Sequence, residues 1–165
     1  MTEGTDLTDL WVFQKAEELG GAVWRVVERW QPFSKWTVSE QLVRAADSVG
    51  ANIAEAFGRF HYGDKLHFPY YAKGSLYETR FWLRQAYKRR LIKTAEVDGL
   101  IELIPSLAVA INNFASSLKN QRKQTVTKES EGAYVVSQQS PQISQSPSVS
   151  QRQFSRRRNY HGSPT

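Results

Sequence analysis

Between residues 8 and 122, apolar side chains recur at intervals of three and four, in four runs separated by short breaks. That period belongs to helices with one buried face, since a helix turns once in about 3.6 residues. The first run holds Leu10, Phe13, Ala16, Leu19, Val23, Val26, Val27 and Trp30. The second holds Leu42, Ala45, Val49, Ile53 and Phe57, and the third Ala72, Leu76, Thr79, Leu83 and Ala86. The fourth holds Ile101, Ile104, Ala108, Ile111, Ala115 and Leu118. No segment alternates apolar and polar residues in the manner of a strand. Four helices of about 20–28 residues with connections of about 5–7 residues predict an all-α chain: an antiparallel up-down-up-down four-helix bundle.

The breaks carry their own chemistry. Pro32 is expected to end the first helix, and Thr37-Val38-Ser39-Glu40 has the pattern of a capping box for the second. Gly58 or Gly63 is expected to supply a left-handed stop. Pro69 falls near the start of the third helix, where a missing amide costs least. Thr94 is a candidate cap for the fourth, and Pro105 inside that run predicts a kink. Gly20-Gly21 lies within a helical pattern and reads as a point of close helix packing.

From residue 123 to 165 the pattern is lost. Stretches such as Ser144-Gln145-Ser146-Pro147-Ser148 are Ser/Gln/Pro-rich, with apolar residues sparse and without period. Such a chain buries too little apolar area to offset its entropy, so a disordered tail is expected. The organisation is then an N-terminal extension at 1–7, the bundle at 8–122 and the tail at 123–165.

Charge divides along the same lines. The 165 residues carry a net charge of +6, with 22 Lys and Arg against 16 Asp and Glu. Residues 1–118 are neutral in sum, so the excess sits in the last 47 residues. Within the bundle, residues 1–58 sum to −4, 59–93 to +7 and 94–118 to −3. The folded part thus holds its own basic block.

Several function classes find no support. There is no cysteine, which excludes disulfides, thiolate metal sites and a Cys nucleophile. No apolar run approaches the roughly 18–20 residues of a membrane span. The first residues lack the basic and apolar regions of a signal peptide, so a soluble cytoplasmic protein is expected. His61, His67 and His161 do not fall at Glu-x-x-His spacing. No phosphate-binding glycine loop or nucleophile elbow occurs. The expectation is a protein that is not an enzyme and holds no cofactor or metal.

Two features stand out. The first is Asn52-Ile53-Ala54-Glu55, with Gly58-Arg59, followed by Gly74-Ser75-Leu76-Tyr77-Glu78. Asn52 and Glu55 share one helix face, as do Ser75 and Glu78. They read as a structural polar network of Asn52, Glu55, Arg59, Ser75 and Glu78 joining the second and third helices. Ala72, Gly74 and Ser75 are small enough for close helix approach. The other readings are an oligomer interface and a catalytic carboxylate.

Together with Leu10-Trp11-Val12-Phe13-Gln14-Lys15-Ala16 and Gln41-Leu42-Val43-Arg44-Ala45-Ala46, these motifs resemble a known family over about residues 8–120. It is the four-helix bundle family of proteins encoded in intervening sequences of bacterial large-subunit ribosomal RNA. That family is related to Avd, the accessory variability determinant of diversity-generating retroelements. The departures are Ala56, where Gly is usual, and Ser48-Val49-Gly50-Ala51, where Ser-Ile-Pro-Ser is more frequent. The resemblance implies a ring-like homopentamer with a basic surface. For Avd-type members it further implies binding to nucleic acid and to a reverse transcriptase.

The second feature is the basic block of the third helix. At about 100° per residue, Arg80 stands at 0°, Lys73 at 20°, Arg84 at 40°, Tyr77 at 60° and Lys88 at 80°. Ala72, Leu76, Thr79 and Leu83 occupy a separate face. Arg89, Arg90 and Lys93 extend the charge into the following turn, and Arg156, Arg157 and Arg158 form a second cluster in the tail. A cationic stripe with an interleaved aromatic ring suits RNA or DNA, with charge on phosphates and the ring against an unpaired base. The same residues also fit pairing with the acidic flanking helices, or an acidic protein partner. The functional expectation is an oligomeric bundle that binds nucleic acid, structured RNA first. The alternative is a scaffold or protein-interaction module.

Overall fold

A computed structural model describes residues 6–138, and every element among them is helical. The four main helices are α1 (Trp11–Val27), α2 (Glu40–Gly58), α3 (Phe68–Lys88) and α4 (Thr94–Gln138). Each packs on the next, and α1 closes on α4. Asp47 lies beside Gly20 and Gly50 beside Ala16, so α1 and α2 run antiparallel. Lys119 reaches Tyr70 and Lys73 reaches Asn112, so α3 and α4 do too. This is the expected up-down-up-down bundle.

The core follows the periodicity. On α3 the buried positions are Ala72, Leu76, Thr79, Leu83 and Ala86, alternating in steps of four and three. Leu19, Leu42, Ile53, Leu76, Leu83 and Leu107 lose essentially all solvent contact. Each such side chain contributes about 1.5–3 kcal/mol of transfer free energy. On α4 the buried positions include Leu100, Ile104, Leu107 and Ile111, while Ile101 and Ala108 are only half-buried. Phe57, expected inside, is exposed on the last turn of α2.

The helix ends depart from several expectations. Helix α1 stops at Val27, before Pro32. Pro32 instead occupies the first position of a short helical turn, Pro32–Ser34, which runs through a π-helical turn, Lys35–Ser39, into α2. A proline at a helix start has no amide to waste, so it begins this segment and does not end the last. The capping box at Thr37 therefore does not form, and the Thr37 hydroxyl donates to the Phe33 carbonyl (3.0 Å).

Among the described residues no glycine adopts a left-handed conformation, and Gly58 ends α2 with Arg59 already extended. The left-handed residue is Arg90, with φ of 61°. Its amide bonds the Tyr87 carbonyl (2.9 Å) and that of Leu91 bonds the Ala86 carbonyl (2.9 Å), which is the Schellman pattern. Thr94 is the first residue of α4, not its cap. Glu96 does the capping, accepting from the Lys93 amide (3.2 Å).

Helix α4 passes through Pro105 and continues beyond residue 122 to Gln138. Among the residues of α4 whose burial is described, Leu118 is the last buried side chain. Residues Arg156, Arg157 and Arg158 lie outside the described residues.

Candidate nucleic-acid interface

Helix α3 is fixed at both ends before its exposed face is considered. Pro69, fully buried, sits in its first turn, and the left-handed Arg90 ends it. The core stripe then sets the rotation of the helix. With Leu76 and Leu83 inside, Tyr77, Arg80, Arg84 and Lys88 must face solvent, and all four are exposed. Lys73 is half-buried and donates to the Asn112 side-chain carbonyl of α4 (3.1 Å).

The stripe opens toward α4. Arg80, Arg84, Tyr87 and Lys88 form one wall of a groove of about 430 Å³, and Thr94, Val97, Asp98 and Ile101 form the other. A second groove of about 760 Å³ continues around the α3–α4 turn and is lined by Arg90 and Lys93. It also takes Arg29 and Trp30 from the end of α1. Tyr87 and Lys88 belong to both grooves. Arg89 is exposed on the turn.

Tyr87 adds to the residues that the sequence predicts for this face. It stands at about −20° on the same helical wheel, at the edge of the stripe, so spacing alone places it there. Arg29 and Trp30 carry no such signal, because they arrive through packing from the turn after α1.

Among the described residues the ion pairs are Lys15–Glu18 (2.6 Å), Arg29–Glu96 (2.8 Å) and Glu55–Arg59. None involves Arg80, Arg84, Lys88, Arg89, Arg90 or Lys93. Glu96, the α4 carboxylate at the α3–α4 turn, is taken by Arg29, two residues beyond the end of α1. Pairing of the stripe with the acidic helices of the same chain is therefore not formed.

The polar network between α2 and α3 does not form as expected. Asn52 donates to the Ser48 carbonyl within α2 (2.7 Å), and Glu55 pairs with Arg59 one turn on. Ser75 contributes only its carbonyl, to Thr79 within α3 (2.8 Å), and Glu78 accepts from the Trp82 indole (3.4 Å). The cross-helix element is Arg59, whose guanidinium lies 5.1 Å from the Phe68 ring centre. The side chains of Asn52, Glu55 and Glu78 each find a partner four residues away along the chain, and these local bonds take the place of a bridge. Close approach at Gly74 is also absent within the chain, since nothing lies within 4 Å of where a Cβ would stand. Gly20 does make the expected close contact: a Cβ there would stand 2.9 Å from the Asp47 carboxylate.

Among the described residues, no group of three or more His, Asp or Glu side chains is placed to hold a metal ion. No helix among them is long and apolar enough to cross a membrane.

Comparison with known proteins supplies the context. No curated protein matches the chain. Among solved structures, it resembles a protein of unknown function from the S23 ribosomal protein family of Bacteroides thetaiotaomicron VPI-5482. The two share 19% identity at a TM-score of 0.56, over 63% of this chain and 97% of that one. That likeness establishes the fold. Residues 8–113 match the family described as 23S rRNA-intervening sequence protein, a span that takes in α1, α2, α3 and the first part of α4. The chain therefore belongs to the 23S rRNA-intervening sequence protein family.

Proposed function

We propose that this protein is a non-enzymatic, homo-oligomeric bundle that binds nucleic acid, structured RNA first, through the α3–α4 face. It would serve as accessory to an rRNA-associated element or a reverse transcriptase. The observation that carries the reading is the run Arg80, Arg84 and Lys88, exposed and without an ion-pair partner among the described residues. Like charges four apart on a helix repel by a few tenths of a kcal/mol per pair. A Glu at either position would turn that cost into a gain. A polyanion bound across the stripe removes the repulsion and releases its own counterions.

Oligomer formation is supported by apolar surface. Phe33 and Trp36 are each 80% exposed and Phe60 is 88% exposed, more large ring area than a lone small chain usually shows to water. The same rings favour the second reading, a protein-interaction module with no nucleic-acid ligand.

Filter binding to RNA across a salt series separates the two. In the first reading, affinity falls steeply with salt, and Arg80→Glu with Arg84→Glu reduces the log–log slope by about 1.4–1.8. Absent or salt-independent binding by the folded protein refutes it. Solution mass tests the oligomer, and a strict monomer at tens of micromolar contradicts it.

A further inference from the structure

The cationic face does not end with α3. Two contacts and a shared groove join it to α4. At one end Arg84 and Lys88 share a groove with Asp98. In the middle Lys73 holds Asn112 (3.1 Å). At the other end the Lys119 ammonium lies 5.5 Å from the centre of the Tyr70 ring. Beyond Tyr70 a further groove of about 720 Å³ is lined by Leu66 and by Lys119, Arg122 and Lys123 of α4. The seam between the two helices is thus one track with positive charge at both ends and in between. Asp98 is the one carboxylate among the described residues that line these two grooves, and Glu96, in the groove around the turn, is paired with Arg29.

Three tyrosines interrupt the cations. Tyr70, Tyr77 and Tyr87 are 52%, 51% and 47% exposed. On the helical wheel they fall within about 100° of one another. Along the axis they are separated by about 10 Å and about 15 Å at 1.5 Å per residue. Phosphate binding alone has no use for half-exposed rings set among lysines and arginines. Unpaired bases do, because every base has a flat face and stacking tolerates any sequence.

A duplex fits the track poorly. Its base faces are hidden in the stack, and a straight helix seam meets its phosphates only where a strand crosses. A single strand can follow the seam and place bases on successive rings.

We infer that the α3–α4 seam binds single-stranded segments, the loops and unpaired stretches of a folded RNA, with Tyr70, Tyr77 and Tyr87 as base-stacking platforms. This rests on the nucleic-acid reading above and narrows it. Tyr70 to Tyr87 spans about 26 Å. At about 3.4 Å per stacked nucleotide that is about eight nucleotides.

The test is fluorescence anisotropy of the full chain with a labelled RNA single strand of about 12 nucleotides and the blunt duplex of the same sequence, at equal salt. The single strand is expected to bind about 10-fold tighter or more. Tyr77→Leu and Tyr87→Leu, both at exposed positions, are each expected to weaken it about 5-fold or more. Tyr77→Phe and Tyr87→Phe, which keep the ring, should retain binding. Lys119→Gln with Lys123→Gln should weaken the 12-mer more than a strand of about four nucleotides. Duplex binding equal to or tighter than the single strand, or leucine variants with unchanged affinity, overturns the inference and leaves nucleic-acid binding standing. No binding of either RNA at about 50 mM salt by the folded chain overturns the parent reading as well.

Discussion

Replacing Arg90 with glycine should stabilise the protein, although the site is a designated cation of the proposed interface. Arg90 has φ of 61°, and its turn is fixed by two hydrogen bonds of 2.9 Å, from its own amide to the Tyr87 carbonyl and from the Leu91 amide to the Ala86 carbonyl. An L-residue in this conformation carries about 1–2 kcal/mol of steric cost, because its Cβ crowds the following carbonyl. Glycine has no Cβ, but it gives back about 0.5–1 kcal/mol through the greater freedom of its unfolded chain. The difference is a net gain of about 0.5–1 kcal/mol for Arg90→Gly. Arg90→Ala is the control. It removes the guanidinium but keeps the Cβ, so it should gain nothing. Urea unfolding followed by circular dichroism at fixed protein concentration reads the result. The midpoint should rise for glycine alone, with unchanged slope. Equal midpoints for the two variants would refute the reasoning, since the left-handed turn would then not be what strains this position. Both variants lose one cation, so both should weaken RNA binding equally. That separates the conformational role of Arg90 from its charge.

Two further outcomes follow from the core and from the α1–α2 contact. Leu83→Ala removes a side chain that is fully buried on α3. It should cost about 2–5 kcal/mol in urea unfolding, and a loss below about 1 kcal/mol would mean the site collapses around the gap. Asp47 lies against Gly20, and burial raises its carboxyl above the ordinary carboxylate range. A raised folded value means the native state binds the proton more tightly than the unfolded chain. Stability on this account rises as pH falls through the raised value, and the penalty is complete above it. Asp47→Asn should therefore be more stable than the parent at pH near 7, with the gap narrowing through the acidic carboxylate range. A difference that stays constant with pH down to about 3.5 would contradict this.

The spacing of Ala72, Leu76, Thr79, Leu83 and Ala86 sufficed to orient α3, because a helix with one apolar face has one stable rotation. Tyr77, Arg80, Arg84 and Lys88 then had to face outward. The four-helix architecture and the position of the basic stripe were therefore legible without coordinates. Helix ends were not. A proline that cannot donate reads equally as a stop or a start, and Pro32 proved to be a start. Thr37 had the residue type for a cap, but the helix had already begun, and its hydroxyl turned back on the preceding turn. The left-handed stop fell on Arg90, where no glycine marks it.

The polar motif of α2 and α3 shows the same limit at the level of partners. Asn52, Glu55 and Glu78 have the right chemistry for a bridge between helices. A partner one turn away costs less chain entropy than one across an interface, and the local bonds form instead. Periodicity, which depends only on the chain's own geometry, determined the bundle and its cationic face. Whatever needed the spatial neighbour was decided by tertiary packing alone. That covers the capture of Glu96 by Arg29, the entry of Trp30 into the groove at the α3–α4 turn, and the seam from Lys88 to Lys119. The register of one helix against another depends on the shapes of both surfaces, which no single segment contains.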